Sequence, residues 1–465
     1  MGEDRYSGNM FGRWRRGCGT ALTLLTAAFV LGGVTTPIAT ATPDDSDAFY
    51  QPPADLADAA PGTILRTREI EPSFFQALPM RVSAWQLLYR TTDADGQPYS
   101  AVTTVLKSAD NANPSAVLSF QNMTDSIAPQ CMPSQALQQG RVPWLDLSQP
   151  SIDLTTMANE SPMVAAALAR GWAVSVPDYG GVDNHFLTPR EPGYVVLDGL
   201  RAAENFTPTG LSGADTRAML WGYSGGGIAS GWAAQEQPRY APELNLIAAA
   251  LGAPVGDFRA GLRSANGTPI GGALVPIALM GMMQGAPEFT AALDRYLTPA
   301  GQQKIAAAVS ACTPQNLLSN IGFDATHYMT ASLDEVLADP VISAAIDAAQ
   351  LGAETPTAPL YVYNAISDEI STIGGVDTLV STYCDSGTPV TYRREQLTLP
   401  VSGHTLEWGL GSPGALAWLQ SRADSAEIPT GCDTRSVPET VLAPDSLTAL
   451  TSGMLGGSLR ALLGG

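Results

Sequence analysis

The chain has 465 residues, of which 45% are hydrophobic and 15% charged, and it carries a formal net charge of −20. That length calls for one large core with an insertion, or for two domains, and the composition excludes a disordered chain. So acidic a surface speaks against nucleic acid or an anionic membrane as partner.

Residues 1–41 read as a secretory signal. Arg13, Arg15 and Arg16 precede an apolar run, Ala21 to Val34, that is too short to span a bilayer comfortably, and Ala39-Thr40-Ala41 offers small residues for cleavage. Arg15-Arg16 raises twin-arginine export, but the residues after the pair fit that signal poorly, so general secretion is favoured. No later stretch is long and apolar enough to span, and the exported protein is expected to be soluble, outside the cell or in its envelope. Cys18 falls in the signal, which leaves Cys131, Cys312, Cys384 and Cys432, an even number in an oxidising compartment. Two disulfides are expected. Three pairings are open, and pairing chain neighbours, Cys131 with Cys312 and Cys384 with Cys432, is preferred.

After a Pro-, Asp- and Ala-rich leader, Arg81 to Arg90 and Ser100 to Lys107 flank the turn signal Asp95-Gly96 and predict a β-hairpin. Strands and helices then alternate. Ala116 to Phe120, Trp172 to Val176 and Ala218 to Trp221 read as strands, while Met163 to Arg170, Val195 to Glu204 and Ile228 to Gln235 read as helices. This alternation implies right-handed crossovers and a mostly parallel sheet. It resumes with strands Leu360 to Asn364 and Val390 to Leu397 and a helix from Pro413 to Arg422. Between the two stretches the pattern is helical, so the expected organisation is a core over 42–255, a helical cap over 256–343, more core over 344–432 and a tail over 433–465. Met280, Met282 and Met283 fit either core filling or an adaptable surface for a greasy ligand.

Gly222-Tyr223-Ser224-Gly225-Gly226 matches G-x-S-x-G, a weak pattern alone. Its context strengthens it, because a strand must end at Trp221 and a helix begin by about Gly226. The turn between them forces Ser224 into a strained conformation that lifts its oxygen to the carboxyl edge of the sheet, beside a helix N-terminus. Gly222 and Gly226 allow strand and helix to approach closely, whereas Gly227 has only a packing or substrate-clearance role to suggest.

A serine hydroxyl needs a base, usually a histidine held by a carboxylate. The histidines are His185, His327 and His404. In this class of fold the order is Ser, acid, His, which excludes His185; His327 lacks a strand-loop-acid context, and His404 lies in a Gly-containing loop before the last helix. Asp368, at the carboxyl end of the strand through Asn364, is the first choice of acid, with Glu369 and Asp377 as alternatives. The Gly225 N–H is one expected oxyanion donor, and Met123 to Ser126 offer the other.

G-Y-S-G-G at 222–226, "FQNMTDS" followed by "CMPS", "VSVPDYGG" at 174–181, "VLDGLRAA" at 196–203, the "SDE" turn and the late "SGH" together resemble the secretory lipase family of α/β-hydrolases, from about Phe49 to Cys432. The resemblance implies an α/β-hydrolase fold with a helical cap, a triad of Ser224, Asp368 and His404, and an oxyanion site using Gly225 with Asp125, the latter through its backbone N–H because a carboxylate does not suit an anion site. It also supports the neighbour pairing of the cysteines. The resemblance does not extend over the tail after Asp433, where Leu447 to Leu463 fits either a short packed helix or a loose end.

The expected activity is an exported serine carboxylester hydrolase, a triacylglycerol lipase or esterase, without metal or organic cofactor. Its partners would be acylglycerols or other lipid esters, with transient contact of the cap with a lipid surface and no stable protein partner. An acyltransferase delivering the same acyl group to an alcohol or envelope lipid is the alternative, and a non-catalytic lipid-binding protein on a retired hydrolase fold is a third.

Overall fold

The two strand-like runs around Asp95-Gly96 pair as expected. In the computed structural model, which describes residues 47–138, 154–396, 401–427 and 430–464, the chain passes β1 (Ile64–Glu69) and a small ribbon of β2 (Ser73–Phe74) and β3 (Leu78–Pro79). It then forms the antiparallel hairpin of β4 (Val82–Thr92) and β5 (Pro98–Ser108). The Asp93 Oδ1 accepts from the N–H groups of Asp95 at 2.9 Å and Gln97 at 2.7 Å, and Gly96 takes a φ of 79°, so the turn is held by its own residues. The signal segment 1–41, Cys18 and the strand end expected at Leu397 lie outside the described residues.

The remaining strands are β6 (Val117–Gln121), β7 (Ala173–Pro177), β8 (Arg217–Tyr223), β9 (Asn245–Gly252), β10 (Leu360–Ala365), β11 (Val390–Glu395) and β12 (Cys432–Val437). Among the described residues ten strands form one sheet in the order β1-β4-β5-β7-β6-β8-β9-β10-β11-β12. β1, β4, β5 and β7 pair antiparallel in succession, and every pair from β7 with β6 onward is parallel. Helices cover both faces, which is why β6 and β7 read as mostly apolar runs with every residue buried, Ser119, Gln121 and Ser175 included.

The crossovers are α1 (Pro133–Ala136), α2 (Thr156–Leu168), α3 (Glu191–Asn205) and α4 (Gly225–Tyr240). Between β9 and β10 the chain is helical, through α5 (Phe258–Ala265), α6 (Gly271–Met283), α7 (Pro287–Asp294), α8 (Pro299–Val309), α9 (Thr313–Ser319), α10 (Leu333–Leu337) and α11 (Pro340–Ala348). α12 (Ile373–Asp385), α13 (Gly403–Ala423), α14 (Pro444–Thr448) and α15 (Gly456–Leu463) complete the chain. Two apolar cores result. One joins α3, α4 and the inserted helices to residues such as Val117, Leu220 and Leu251, and it contains buried Met280 and Met282, which settles those methionines as core. The other joins α2, α13 and α15 to Leu118, Phe120, Trp221 and Tyr363.

Strands β9 and β12 of the sheet have no counterpart among the elements expected from the sequence. β9 was missed because "NLIAAALG" is alanine-rich, a helical composition; small residues suit it because Ala250 lies beside Trp221 and both pack in a core with Tyr223 and Tyr363. β12 was missed because "CDTRSV" is polar, as suits an edge strand facing water; it extends the sheet beside β11 where a tail was expected. Beyond it the tail takes the packed-helix alternative: residues 444–463 form a helix with a π turn at Ala449–Leu455, and Gly457 allows α15 within 2.7 Å, measured from an added Cβ, of the Ala165 carbonyl of α2.

Both disulfides have the preferred pairing, Cys131–Cys312 and Cys384–Cys432. The second closes a segment of 48 residues and ties the edge strand to α12. Replacing Cys384 and Cys432 together by serine is therefore expected to cost about 2–4 kcal/mol and to lower Tm by several degrees. An unchanged Tm in calorimetry would show that β12 is held without the bond.

Candidate active site

The G-x-S-x-G turn is as sharp as its sequence demands. β8 ends at Tyr223, α4 begins at Gly225, and Ser224 between them takes φ 54° and ψ −121°. Its N–H donates to the Gly252 carbonyl at 2.9 Å, and its carbonyl accepts from Ile228 N–H at 2.9 Å. A Cβ on Gly226 would lie 2.0 Å from the Gln121 carbonyl, and one on Gly227 would lie 2.3 Å from that of Gly252. Gly227 is thus a packing residue, which lets α4 rest directly on β9.

His404 Nε2 stands 2.8 Å from Ser224 Oγ, and His404 Nδ1 stands 2.8 Å from Asp368 Oδ2. A carboxylate only accepts, so Nδ1 carries the proton and Nε2 is free to accept from the serine. Asp368 is itself fixed, since its Oδ1 accepts from the N–H groups of Ile370 at 2.8 Å and Ser371 at 2.7 Å. All three side chains are buried. Burial pushes the imidazole down, but the charge and hydrogen bond of Asp368 outweigh it and leave His404 above the ordinary histidine value.

His404 does not sit in a free loop. α13 begins ten residues earlier than the helix expected from Pro413, and it carries His404 as its second residue. The glycines at 403, 409, 411 and 414 and the proline at 413 concealed that helix. Ser402 caps it by accepting from Thr405 N–H at 3.1 Å, Ser402 Oγ donates to Glu369 Oε1, and Tyr223 Oη donates to the His404 carbonyl at 2.6 Å. Glu369 therefore orients the helix start, while Asp377 pairs with Arg394 at 3.0 Å, and neither replaces Asp368. His185 pairs with Glu191 at 2.7 Å, and His327 is exposed.

Asp125 follows β6 with a φ of 42° and lies against the start of α4, so closely that a Cβ on Gly225 would be 1.9 Å from Asp125 Oδ1. That oxygen is buried without a hydrogen-bond partner among the described residues. Burial pushes the Asp125 carboxyl up to about 6, against the pull of His404. Among the described residues, the N–H groups of Asp125 and Gly225 donate to no protein acceptor. Beneath the loop is Glu160 of α2, which the sequence reading missed. Its Oε2 accepts from Met123 N–H at 3.1 Å and from the Asn122 amide, and burial pushes its carboxyl up to about 8. A lone acid in the small and apolar helix "TMANESPMVAAAL" was the available signal.

A narrow groove runs from Ser224, Gly225 and Asp125 between Phe186, Leu187, Val255 and helices α5 and α6. Its lining is apolar apart from Ser224 and Asp125. Phe186 and Leu187 come from a loop with three non-glycine residues at positive φ, Asn184, Leu187 and Arg190, and nothing in their composition marked them as groove residues.

Comparison with known proteins agrees with this architecture. Residues 148–430 match the family model described as secretory lipase. The chain is 37% identical over 378 residues to "Probable inactive lipase MT1628" of Mycobacterium tuberculosis, covering 81% of each chain. It is 35% identical over 428 residues to "Lipase A" of Arthroderma benhamiae, covering 90% of this chain and 88% of that one. The closed-state crystal structure of Candida antarctica lipase A superposes with a TM-score of 0.77 at 23% identity, covering 90% of this chain and 95% of that one, which shows a shared α/β-hydrolase fold.

The buried acids give a pH dependence of stability. Asp125 near 6, Asp178, which follows β7 and accepts from Ser134 N–H at 2.9 Å, near 7, and Glu160 near 8 all hold their protons more tightly in the fold than in the unfolded chain. The native state then binds more protons than the unfolded one above the ordinary carboxylate value, so stability falls as pH rises until each has ionised. His404, raised as well, changes in the same direction. Tm is expected to be higher at about pH 5 than at about pH 8.5. Asp125→Asn should flatten the lower part of that decline, by on the order of 1 kcal/mol. A Tm that rises over this range would contradict the assignment.

Proposed function

We propose that this chain, which belongs to the secretory lipase family, is an exported serine carboxylester hydrolase of lipid esters, acylglycerols first among them. The observation that carries the reading is the continuous line from Ser224 Oγ through His404 to Asp368, at 2.8 Å and 2.8 Å, opening into an apolar groove. Ser224 Oγ attacks the ester carbonyl while its proton passes to His404 Nε2, and Asp368 stabilises the imidazolium that forms. The N–H groups of Gly225 and Asp125 receive the oxyanion. The alcohol leaves with the proton from His404, and a water, activated by the same nitrogen, releases the fatty acid.

An apolar groove suits an acyl chain better than a charged alcohol, because each buried methylene contributes about 0.8 kcal/mol. We read α5 to α11 as the cap that closes it, and the exposed Ile366 and Val401, close in sequence to Asp368 and His404, suit contact with a lipid surface. No helix of the described residues is long and apolar enough to cross a membrane. The family name and the signal-like segment 1–41 support export. One relative is named a probable inactive lipase; in this chain the hydrogen-bonded Ser224, His404 and Asp368 support activity.

A series of p-nitrophenyl esters of increasing chain length tests the reading. kcat/KM should rise by up to about fourfold per methylene until the groove is filled, and Ser224→Ala should lose on the order of 10³-fold or more in kcat. The acid limb of kcat/KM should fall above the ordinary imidazole pKa, since His404 must be neutral to act. Full esterase activity in Ser224→Ala would refute the mechanism.

A further inference from the structure

The loop that carries Asp125 is held from outside the sheet. Residues 310–313, at the start of α9, bond to residues 124–131 at several points. Cys312 is joined to Cys131, Ser126 Oγ donates to the Ala311 carbonyl at 3.0 Å, and Gln130 Nε2 donates to the Ser310 carbonyl at 3.0 Å. One of these contacts reaches Asp125 itself. Thr313 is buried, and the single proton of its hydroxyl is shared between the main-chain carbonyls of Thr124 and Asp125, the latter at 3.0 Å.

A trans peptide is planar, with its C=O and N–H pointing in opposite directions. The Thr124 carbonyl and the Asp125 N–H belong to one such peptide. Drawing that carbonyl toward Thr313 therefore turns the Asp125 N–H away from α9. Asp125 shares the groove with Ser224 and Gly225, has a left-handed φ of 42°, and turns its own carbonyl to the same hydroxyl. Without the hydroxyl, two buried carbonyls would face a methyl group, and the peptide would gain by rotating to find other donors.

We propose that Thr313 is a positioning residue of the oxyanion site. By holding the Thr124 carbonyl it aims the Asp125 N–H at the ester oxygen, so the helical insertion sets the turnover of a nucleophile it does not carry. The proposal rests on the serine-hydrolase reading above. Its effect belongs to the transition state, because the oxygen gains its charge only there.

The test is Thr313→Val, which keeps the shape and removes the donor, with Thr313→Ser as the conservative restoration. In Thr313→Val, kcat is expected to fall about 10- to 100-fold with KM within about twofold, and affinity for an alkyl boronic acid, which forms a tetrahedral adduct on the serine, should weaken by a similar factor. Thr313→Ser should recover most of the loss. If the valine variant does not fold, as judged by Tm and an intact Cys131–Cys312 bond, Thr313→Ala puts the same question with a smaller side chain. Wild-type kcat in the valine or alanine variant, or equal losses in the serine and valine variants, would overturn the positioning role. Ser224→Ala in the same assay separates the two levels. Loss of activity there beside wild-type kcat in Thr313→Val overturns only this proposal, while retained activity there overturns the hydrolase reading with it.

Discussion

One left-handed residue organises the molecule. Ser224 at φ 54° is an expensive conformation for a side chain of any size, of order 1–3 kcal/mol, and it survives because its surroundings leave the backbone no alternative. Its N–H is bonded to Gly252, its carbonyl begins the hydrogen bonding of α4, and the helix is pressed onto β6 and β9 through Gly226 and Gly227. These contacts require β6, β8 and β9 to be adjacent and parallel, with their carboxyl ends at one edge, as the sheet order provides. Sheet and serine are consequently one design, since the strain is maintained by packing that the sheet supplies.

The remaining parts of the site reach that edge by different means. Asp368 follows β10 directly and is locked by two backbone N–H groups. His404 arrives on the first turn of α13, held by Ser402, Glu369 and Tyr223. Asp125 stands on a second left-handed turn, supported by Glu160 from beneath and clamped by the insertion from the side. The Cys131–Cys312 bond joins residues 181 apart and stitches that insertion to the loop that carries Asp125. The helices over the groove are thus tied to the parts of the site below them.

Much of this was legible in the sequence, and the reason differs by element. The hairpin at Asp95-Gly96 and the buried strands β6, β7, β8 and β10 announce themselves through turn chemistry and short, mostly apolar runs. Ser224 is marked by its glycines, and His404 by the scarcity of other histidines. What escaped depended on partners distant in the chain. The alanines of β9 make sense only beside Trp221 and Tyr363, and the polar β12 only as an edge. The helix carrying His404 contains four glycines and a proline, so local propensity argued against it and tertiary contacts decided. Glu160 and Thr313 act through the backbone of a loop, and no spacing rule connects them to it.

The central claim is that Ser224 is the nucleophile activated by His404. Mass spectrometry of the intact protein and its peptides after treatment with an alkyl phosphonate p-nitrophenyl ester tests it most directly, because phosphonylation requires an activated nucleophile but no turnover. One adduct per chain is expected, located on the peptide bearing Ser224 and formed far more slowly in His404→Ala. An adduct on another residue, or equally fast labelling without His404, would contradict it.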